Sequence, residues 1–274
     1  MIFDNHAHLQ SSGKNIEAVK NFEKEGGTHI NVCNVPLQGY GYDDYYYEKI
    51  YNETLKIVSA INSGTKVKAY ATIGPYPVDL LDALNKGMSM DRALTIMKKG
   101  IDMAAKLVED QKAIAIGEVG RPHFPVSDSL WQQFNELISY IFEKARDIDC
   151  AVVMHTEYTS ETMKELANLA DLARLSKSRV VKHYSPPLIN FNENYGIFPS
   201  VIATRKNVRE AFQKGTRFFL ETDYVDELKN PNMVLAIDTV PKRIKSVINE
   251  GLIDMEKLTD TTIKNIHEVY KIDI

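Results

Sequence analysis

The chain has 274 residues, with 33 Lys plus Arg against 37 Asp plus Glu and a formal charge of −4. Its 44% apolar and 26% charged residues match a soluble globular protein and exclude a disordered, fibrous or disulfide-stapled chain, and its length allows a large core without help from metals or disulfides. The mild acidity excludes a protein built mainly to coat DNA or RNA, though not an enzyme that acts on a short stretch of nucleic acid at one pocket.

Short apolar, β-branched runs alternate with stretches of helical period. Strands are expected at Ile2–His8, His29–Val35, Lys66–Ile73, Ala113–Val119, Cys150–His155, Arg179–His183, Ser200–Thr204 and Arg217–Thr222. Between them, Ile16, Val19 and Phe22 share one helical face before the stop Gly26-Gly27. Ala93–Val108 reads as a helix capped by Ser89 or Asp91. Leu130–Ala145 follows the Ser127-Asp128-Ser129 cap region, and Ser160 opens Thr162–Leu175. Val208–Phe212 is short, Asn232–Ile248 should end or kink at Pro241, and Thr261–Tyr270 closes the chain. Eight strands alternating with helices predict a single α/β domain over residues 1–274, a (β/α)8 TIM barrel. A doubly wound open sheet is the alternative, but it normally places a Gly-rich phosphate loop after its first strand, where this chain has His-Ala-His.

Cys33 and Cys150 form no CxxC pair and read as buried small hydrophobes in a reducing compartment. The start, MIFDNHAHLQ, has no basic region or long apolar run, and no segment approaches the roughly 20 apolar residues of a membrane span. The chain is therefore read as cytoplasmic, with no membrane partner.

The strongest chemical signal is Asp4-Asn5-His6-Ala7-His8. Residues two apart on a strand point the same way, so His6 and His8 face one side with Asp4 beneath them, and two converging imidazoles can bind a divalent metal. Taken alone, the pair is equally well two half-exposed histidines on a strand. Other predicted strands also end in metal-competent side chains: Glu118, His155, His183 and, just past the eighth, Asp223. In a parallel barrel these ends meet at the C-terminal face, where barrel enzymes keep their active sites. Unpartnered buried carboxylates and imidazoles are costly, so the set reads as a metal site.

FDNHAHL, AIGEVG, VVMHT, VVKHY and FLETD, in this order from residue 3 to residue 223, resemble the motifs of the TatD-related hydrolases, a branch of the metal-dependent amidohydrolase superfamily. TTIKNIHEVY is similar to that family's C-terminal helix with its Asn. The resemblance implies two divalent ions, one held by His6, His8, Glu118 and Asp223, the other by Glu118, His155 and His183, with Glu118 bridging. Four imidazoles and two carboxylates suit Zn²⁺ best, with Mn²⁺, Fe²⁺, Co²⁺, Ni²⁺ or Mg²⁺ as alternatives. It also implies catalysis by Glu118 and Asp223, with a metal-bridged hydroxide attacking a phosphodiester and Asp223 passing the proton on. A carbon–nitrogen, ester or lactone hydrolase on the same binuclear site is the alternative, since fold and ligands do not separate the two. A non-catalytic metal protein is a third reading, against which the complete ligand set counts.

Asp4 and Glu221 each precede a ligand by two residues. They either orient ligand imidazoles or form a structural polar layer. Arg121 and His123, in GRPHF, are candidates for substrate contact through a phosphate or carboxylate. Here the chain departs from the GEIG-L-D continuation of the nuclease members. Lys182 is a further candidate, although alternation turns it away from His183 toward a flanking helix. Nuclease action calls for several cations at the mouth, and only Arg121, Lys182 and Arg205 offer themselves. The segment Tyr40–Tyr51 holds six of the fourteen tyrosines. It reads as a loop and first helical turn packed on neighbouring loops, as a homo-oligomer contact or as a stacking wall for a flat substrate. The expected partners are thus a small molecule or short nucleic acid as substrate, and a second copy of the chain. His29 and His267 read as structural or solvent-facing, and Met88, Met90, Met97 and Met103 as packing.

Overall fold

The computed structural model describes residues 1–36, 41–159, 161–227 and 234–273. Its strands are β1 (Phe3–His8), β2 (His29–Cys33), β3 (Lys68–Ile73), β4 (Ala115–Gly120), β5 (Ala151–His155), β6 (Val180–Ser185), β7 (Phe198–Ile202), β8 (Phe219–Glu221) and β9 (Tyr224–Val225). They form one sheet in the order β8-β7-β6-β5-β4-β3-β2-β1-β9, and every pairing is parallel. β8 falls within the expected eighth strand, Arg217–Thr222, and β9 lies just beyond its expected end, the first paired with β7 and the second with β1. The Asp223 N–H donates to the His6 carbonyl at 2.9 Å between them, so the sheet closes on itself as a TIM barrel.

The helices are α1 (Ile16–Lys24), α2 (Tyr46–Gly64), α3 (Val78–Asn85), α4 (Met90–Glu109), α5 (Asp128–Asp147), α6 (Thr162–Ala173), α7 (Phe191–Asn194), α8 (Arg205–Lys214), α9 (Thr239–Asn249), α10 (Met255–Thr259) and α11 (Asn265–Tyr270). Ser89 and Ser127 cap α4 and α5 by accepting the Arg92 and Leu130 N–H groups. Ser160 lies outside the described residues, as do Tyr40 and Asn232. The helix expected from Asn232 starts at Thr239, which puts Pro241 in its first turn, where no intrahelical N–H is lost. The sequence reading missed α2 beyond its first turn and all of α3. α2 is Tyr- and Ile-rich, a composition that propensity alone does not assign to a helix.

α11 plugs the N-terminal mouth of the barrel. Tyr270 stacks on Phe219, with centroids 5.4 Å apart, and its hydroxyl donates to Asn5 Oδ1 at 2.7 Å. The Asn265 amide donates to the Thr216 and Phe218 carbonyls, tying the plug to the start of β8. Above the rings lies a polar layer in which Asn5 donates to Ser200 Oγ at 3.0 Å and Thr72 to Asn31 Oδ1 at 3.0 Å. The opposite mouth is left open to a cavity. The four methionines pack into or against the core, His29 is half-buried against Tyr70, and both cysteines are free and buried. Among the described residues no helix is long and apolar enough to cross a membrane.

Candidate metal centre

Six side chains from five strand ends meet at the open mouth. His6 and His8 point their Nε2 atoms at each other across 3.2 Å. Asp223 Oδ1 lies 3.8 Å from His6 Nε2 and 3.4 Å from His8 Nε2, and Glu118 Oε2 lies 3.5 and 3.6 Å from the same two atoms. The other Glu118 oxygen, Oε1, contacts His155 Nδ1 and lies 2.8 Å from His183 Nε2, and these two nitrogens are 3.2 Å apart. Glu118 therefore faces two clusters with its two oxygens.

The backbone explains why these atoms converge. Gly117 leaves room for Val153, whose carbonyl oxygen would lie 2.7 Å from an added Cβ. Gly120 sits at φ +134, and a Cβ there would meet the His155 carbonyl at 2.3 Å. Glycine at both positions lets β4 and β5 approach closely enough for Glu118 to reach His155. Asp223 has φ 48, a left-handed conformation that Asp tolerates better than most residues. It turns the carboxylate inward at the break between β8 and β9.

The outer nitrogens of the imidazoles are held as well. His8 Nδ1 is 3.3 Å from the Cys33 carbonyl oxygen, which accepts an N–H and leaves the Nε2 lone pair facing the cluster. Cys33 Sγ lies 3.4 Å from His6 Nδ1; the sequence reading had taken Cys33 as packing alone. His155 Nε2 is 3.1 Å from His123 Nδ1. His183 Nδ1 lies 3.3 Å from Glu221 Oε1 but outside hydrogen-bond alignment, so this is a charge contact.

Burial opposes ionisation throughout, and local charge decides the outcome. Glu118 is held well below the usual carboxylate range, because the His183 and His155 imidazoles outweigh its burial. Asp223 is lowered too, its burial outweighed by the neighbouring His8 and His183 imidazoles. His183 is pushed up to about 10, as Glu118 and Glu221 overcome its burial. His6 moves down, through burial and the neighbouring His183. Two ionised carboxylates among four inward-facing imidazoles form a donor set for borderline divalent ions. His6, Glu118 and His183 offer one group of ligand atoms within 4.8 Å of one another, and His6, His8 and Asp223 a second. Ligands of one ion with bonds of about 2.0–2.2 Å are spaced in this range, so the residues fit divalent metal.

The surrounding candidates separate. Glu221 does lie against an imidazole, and it also accepts the Tyr184 N–H at 2.6 Å and the Ser200 hydroxyl. Asp4 touches no imidazole. It accepts the His6 and Thr222 N–H groups and the Thr222 hydroxyl, so it clamps β1 to the end of β8 instead of orienting a ligand. The β1–β2 register shifts between Asp4 and Ala7, so strict alternation fails there. Arg121 is a second correction. It is 1% exposed and does not line the cavity. Its guanidinium donates to Glu157 and Asn135, pairs with Glu165, and lies 4.0 Å over the Trp131 ring. A cation satisfied on every side is not presented to a substrate. Lys182 departs from expectation in the other direction and lines the cavity with His183. The β6–β7 register shifts between Lys182 and Ser185, and this irregularity brings neighbouring side chains to one side. Its Nζ donates to the His183 carbonyl at 2.6 Å, and burial lowers it to about 8. His123 also lines the cavity, whereas Arg205 does not.

The cavity has a volume of about 650 Å³. Its walls include residues the sequence reading passed over, among them Asn34, Tyr76, Tyr158 and Tyr184. The aromatic residues just past the third, fifth and sixth strands were the available signal. Among the described residues of the tyrosine-rich segment, 41–51, none lines this cavity. Tyr46, Tyr47 and Tyr51 are buried in the core, and Tyr42 and Tyr47 donate to the buried Asp79 carboxylate at the start of α3.

A family model described as TatD related DNase matches residues 3–271. The chain belongs to that family. As a member it is a metal-dependent hydrolase. It is 37% identical over 277 residues to an uncharacterized protein of Methanocaldococcus jannaschii, covering 100% of this chain and 96% of that one. Among solved structures it is similar to a TatD homologue of Escherichia coli K12, at TM-score 0.65 and 18% identity over 99% of this chain and 98% of the other. It is also similar to an organophosphorus hydrolase of Deinococcus radiodurans, at TM-score 0.64 and 10% identity over 98% and 92%. Both likenesses concern the barrel.

Proposed function

We propose that this hydrolase cleaves phosphodiesters, with His6, His8, Glu118 and Asp223 holding one divalent ion and Glu118, His155 and His183 a second. The observation that carries the reading is the convergence of His8, Glu118, His155, His183 and Asp223 on one cavity, with His6 buried against them, in a chain that matches the TatD related DNase family over residues 3–271. Bound there, two ions would supply Lewis-acid polarisation of a phosphoryl oxygen and a water of lowered pKa. Asp223, ionised and at the cavity wall, accepts the proton of the attacking water and returns it to the leaving oxygen. Glu118 keeps its charge at neutral pH and fixes the spacing of the two clusters. Lys182 offers an ammonium to a non-bridging oxygen, and His123 keeps the His155 ring in place. Zinc suits this donor set best, with manganese, iron, cobalt, nickel and magnesium as alternatives.

A specific observation favours a second reading, hydrolysis of an ester, lactone or amide. Among the described residues and outside the metal-donor set, the cavity lining has one Lys or Arg, Lys182, amid valines, a proline and tyrosines. Turnover by the zinc- or manganese-loaded protein separates the two. The phosphodiester reading expects cleavage of bis(p-nitrophenyl) phosphate and of end-labelled single-stranded DNA, with kcat reduced about 10²–10⁴-fold in Asp223→Asn. Turnover of lactones or p-nitrophenyl carboxylates with no phosphodiester cleaved would replace it by the second reading.

A further inference from the structure

The rim of the cavity exposes more aromatic surface than the donor set requires. Tyr158 after β5 is 59% exposed, Tyr184 in β6 50% and Phe124 after β4 40%. Tyr158 and Tyr184 line the cavity together with Val35, Val225 and Val234. Phe124 packs edge-on against His123, itself a lining residue, with centroids 5.3 Å apart at 87°. Large apolar side chains gathered at one exposed place mark a binding surface. The charge at the same place is sparse. Beyond the metal-donor set, Lys182 is the one Lys or Arg among the described lining residues, because Arg121 is consumed by Glu157, Asn135 and Glu165. A groove that tracks a polynucleotide needs a row of cations along its backbone. A wall of rings around one ammonium suits a ligand with one negative charge and a flat ring.

We propose that the site takes a small, singly charged phosphodiester bearing a flat aryl or nucleobase ring, with the ring against Tyr158 and Tyr184 and the charge within reach of Lys182, in preference to a polynucleotide. This rests on the phosphodiester reading above and names its substrate class.

The test is calorimetric binding to the zinc-loaded protein. Diphenyl phosphate and dimethyl phosphate carry the same single charge and differ only in their rings. Diphenyl phosphate should bind about tenfold more tightly, the size of one ring stacked on an aromatic side chain. Tyr158→Ala and Tyr184→Ala should each remove most of that difference. Tyr158→Leu, which keeps apolar bulk and loses the flat face, should remove it too. Both tyrosines are more than half or about half exposed, and metal content measured on each variant reports whether the barrel is intact. Lys182→Met should weaken both esters alike. A thymidylate 20-mer should bind no more tightly than thymidylyl-(3′→5′)-thymidine, a dinucleotide with a single phosphodiester, and with a shallow salt dependence. Equal affinity for the two esters in the parent protein overturns the proposal, as does a 20-mer that binds more than tenfold better with a slope of several ions released. Binding of diphenyl phosphate with no phosphodiester cleaved would overturn the reaction assigned above and leave the ring subsite supported.

Discussion

At the scale of single residues, what a side chain does here follows from what has already satisfied it. Arg121 and Lys182 are both buried cations near the site, yet only Lys182 faces the cavity, because Arg121 meets two carboxylates, an amide and an indole on its way. Sequence reading gave both as candidate substrate contacts while turning Lys182 toward a flanking helix, since chain position near a strand end does not reveal where a long side chain finds partners. Asp79 gives a prediction of its own. Burial pushes its carboxyl from 3.8 to about 7, against the hydrogen bonds from Tyr47 and Tyr42. The folded state therefore holds a proton that the unfolded chain releases, and this group's contribution to stability falls as pH rises from about 4 to about 7. Asp79→Asn removes that dependence. Comparing urea midpoints at pH 5 and pH 8, we expect the variant to gain about 2–4 kcal/mol on the parent at the higher pH; a difference that stays constant would contradict the assignment.

At the scale of elements, the strand ends were legible and the tyrosine helix was not. Most barrel strands carry apolar runs, as in the β5 residues AVVMH and the β7 residues FPSVI, and five strand ends bear metal-competent side chains, so a metal site was legible in the pattern of strands, while the division of its ligands between two ions came from the family resemblance. α2 and α3 lack that clarity because their helical content is set by packing, with Tyr46, Tyr47 and Tyr51 buried and Asp79 bridging the two helices. The break between β8 and β9 was invisible for a different reason: a single left-handed residue, Asp223, makes it. The β4–β5 seam yields a second test. In Gly120→Ala the new Cβ would meet the His155 carbonyl at 2.3 Å on a backbone at φ +134. We expect a loss of about 2–4 kcal/mol in thermal or urea unfolding, together with weaker metal binding as His155 is displaced from Glu118. An alanine variant as stable as the parent would show that the seam can open without cost.

At the scale of the whole molecule, the barrel has one plugged mouth and one chemical mouth. The plug, α11, seals the N-terminal end with the Phe3, Phe219 and Tyr270 rings, and the polar layer of Asn5, Asn31, Thr72 and Ser200 separates these rings from the donors above. Four imidazoles drawn together from β1, β5 and β6 are favourable only when their lone pairs have a common partner, so metal should stabilise the entire fold. Chelation is expected to lower Tm by on the order of 10 °C, reversed by re-adding zinc or manganese; an unchanged Tm would mean that the cluster closes without ions.

The most direct test of the account is the number of ions bound. Elemental analysis of the metal-loaded protein should find two divalent ions per chain, and fewer than one in Glu118→Ala, because the two Glu118 oxygens face the His6–His8 pair and the His155–His183 pair. A parent protein with a single ion, or a Glu118→Ala variant that still holds two, would contradict the bridging carboxylate on which the proposed chemistry depends.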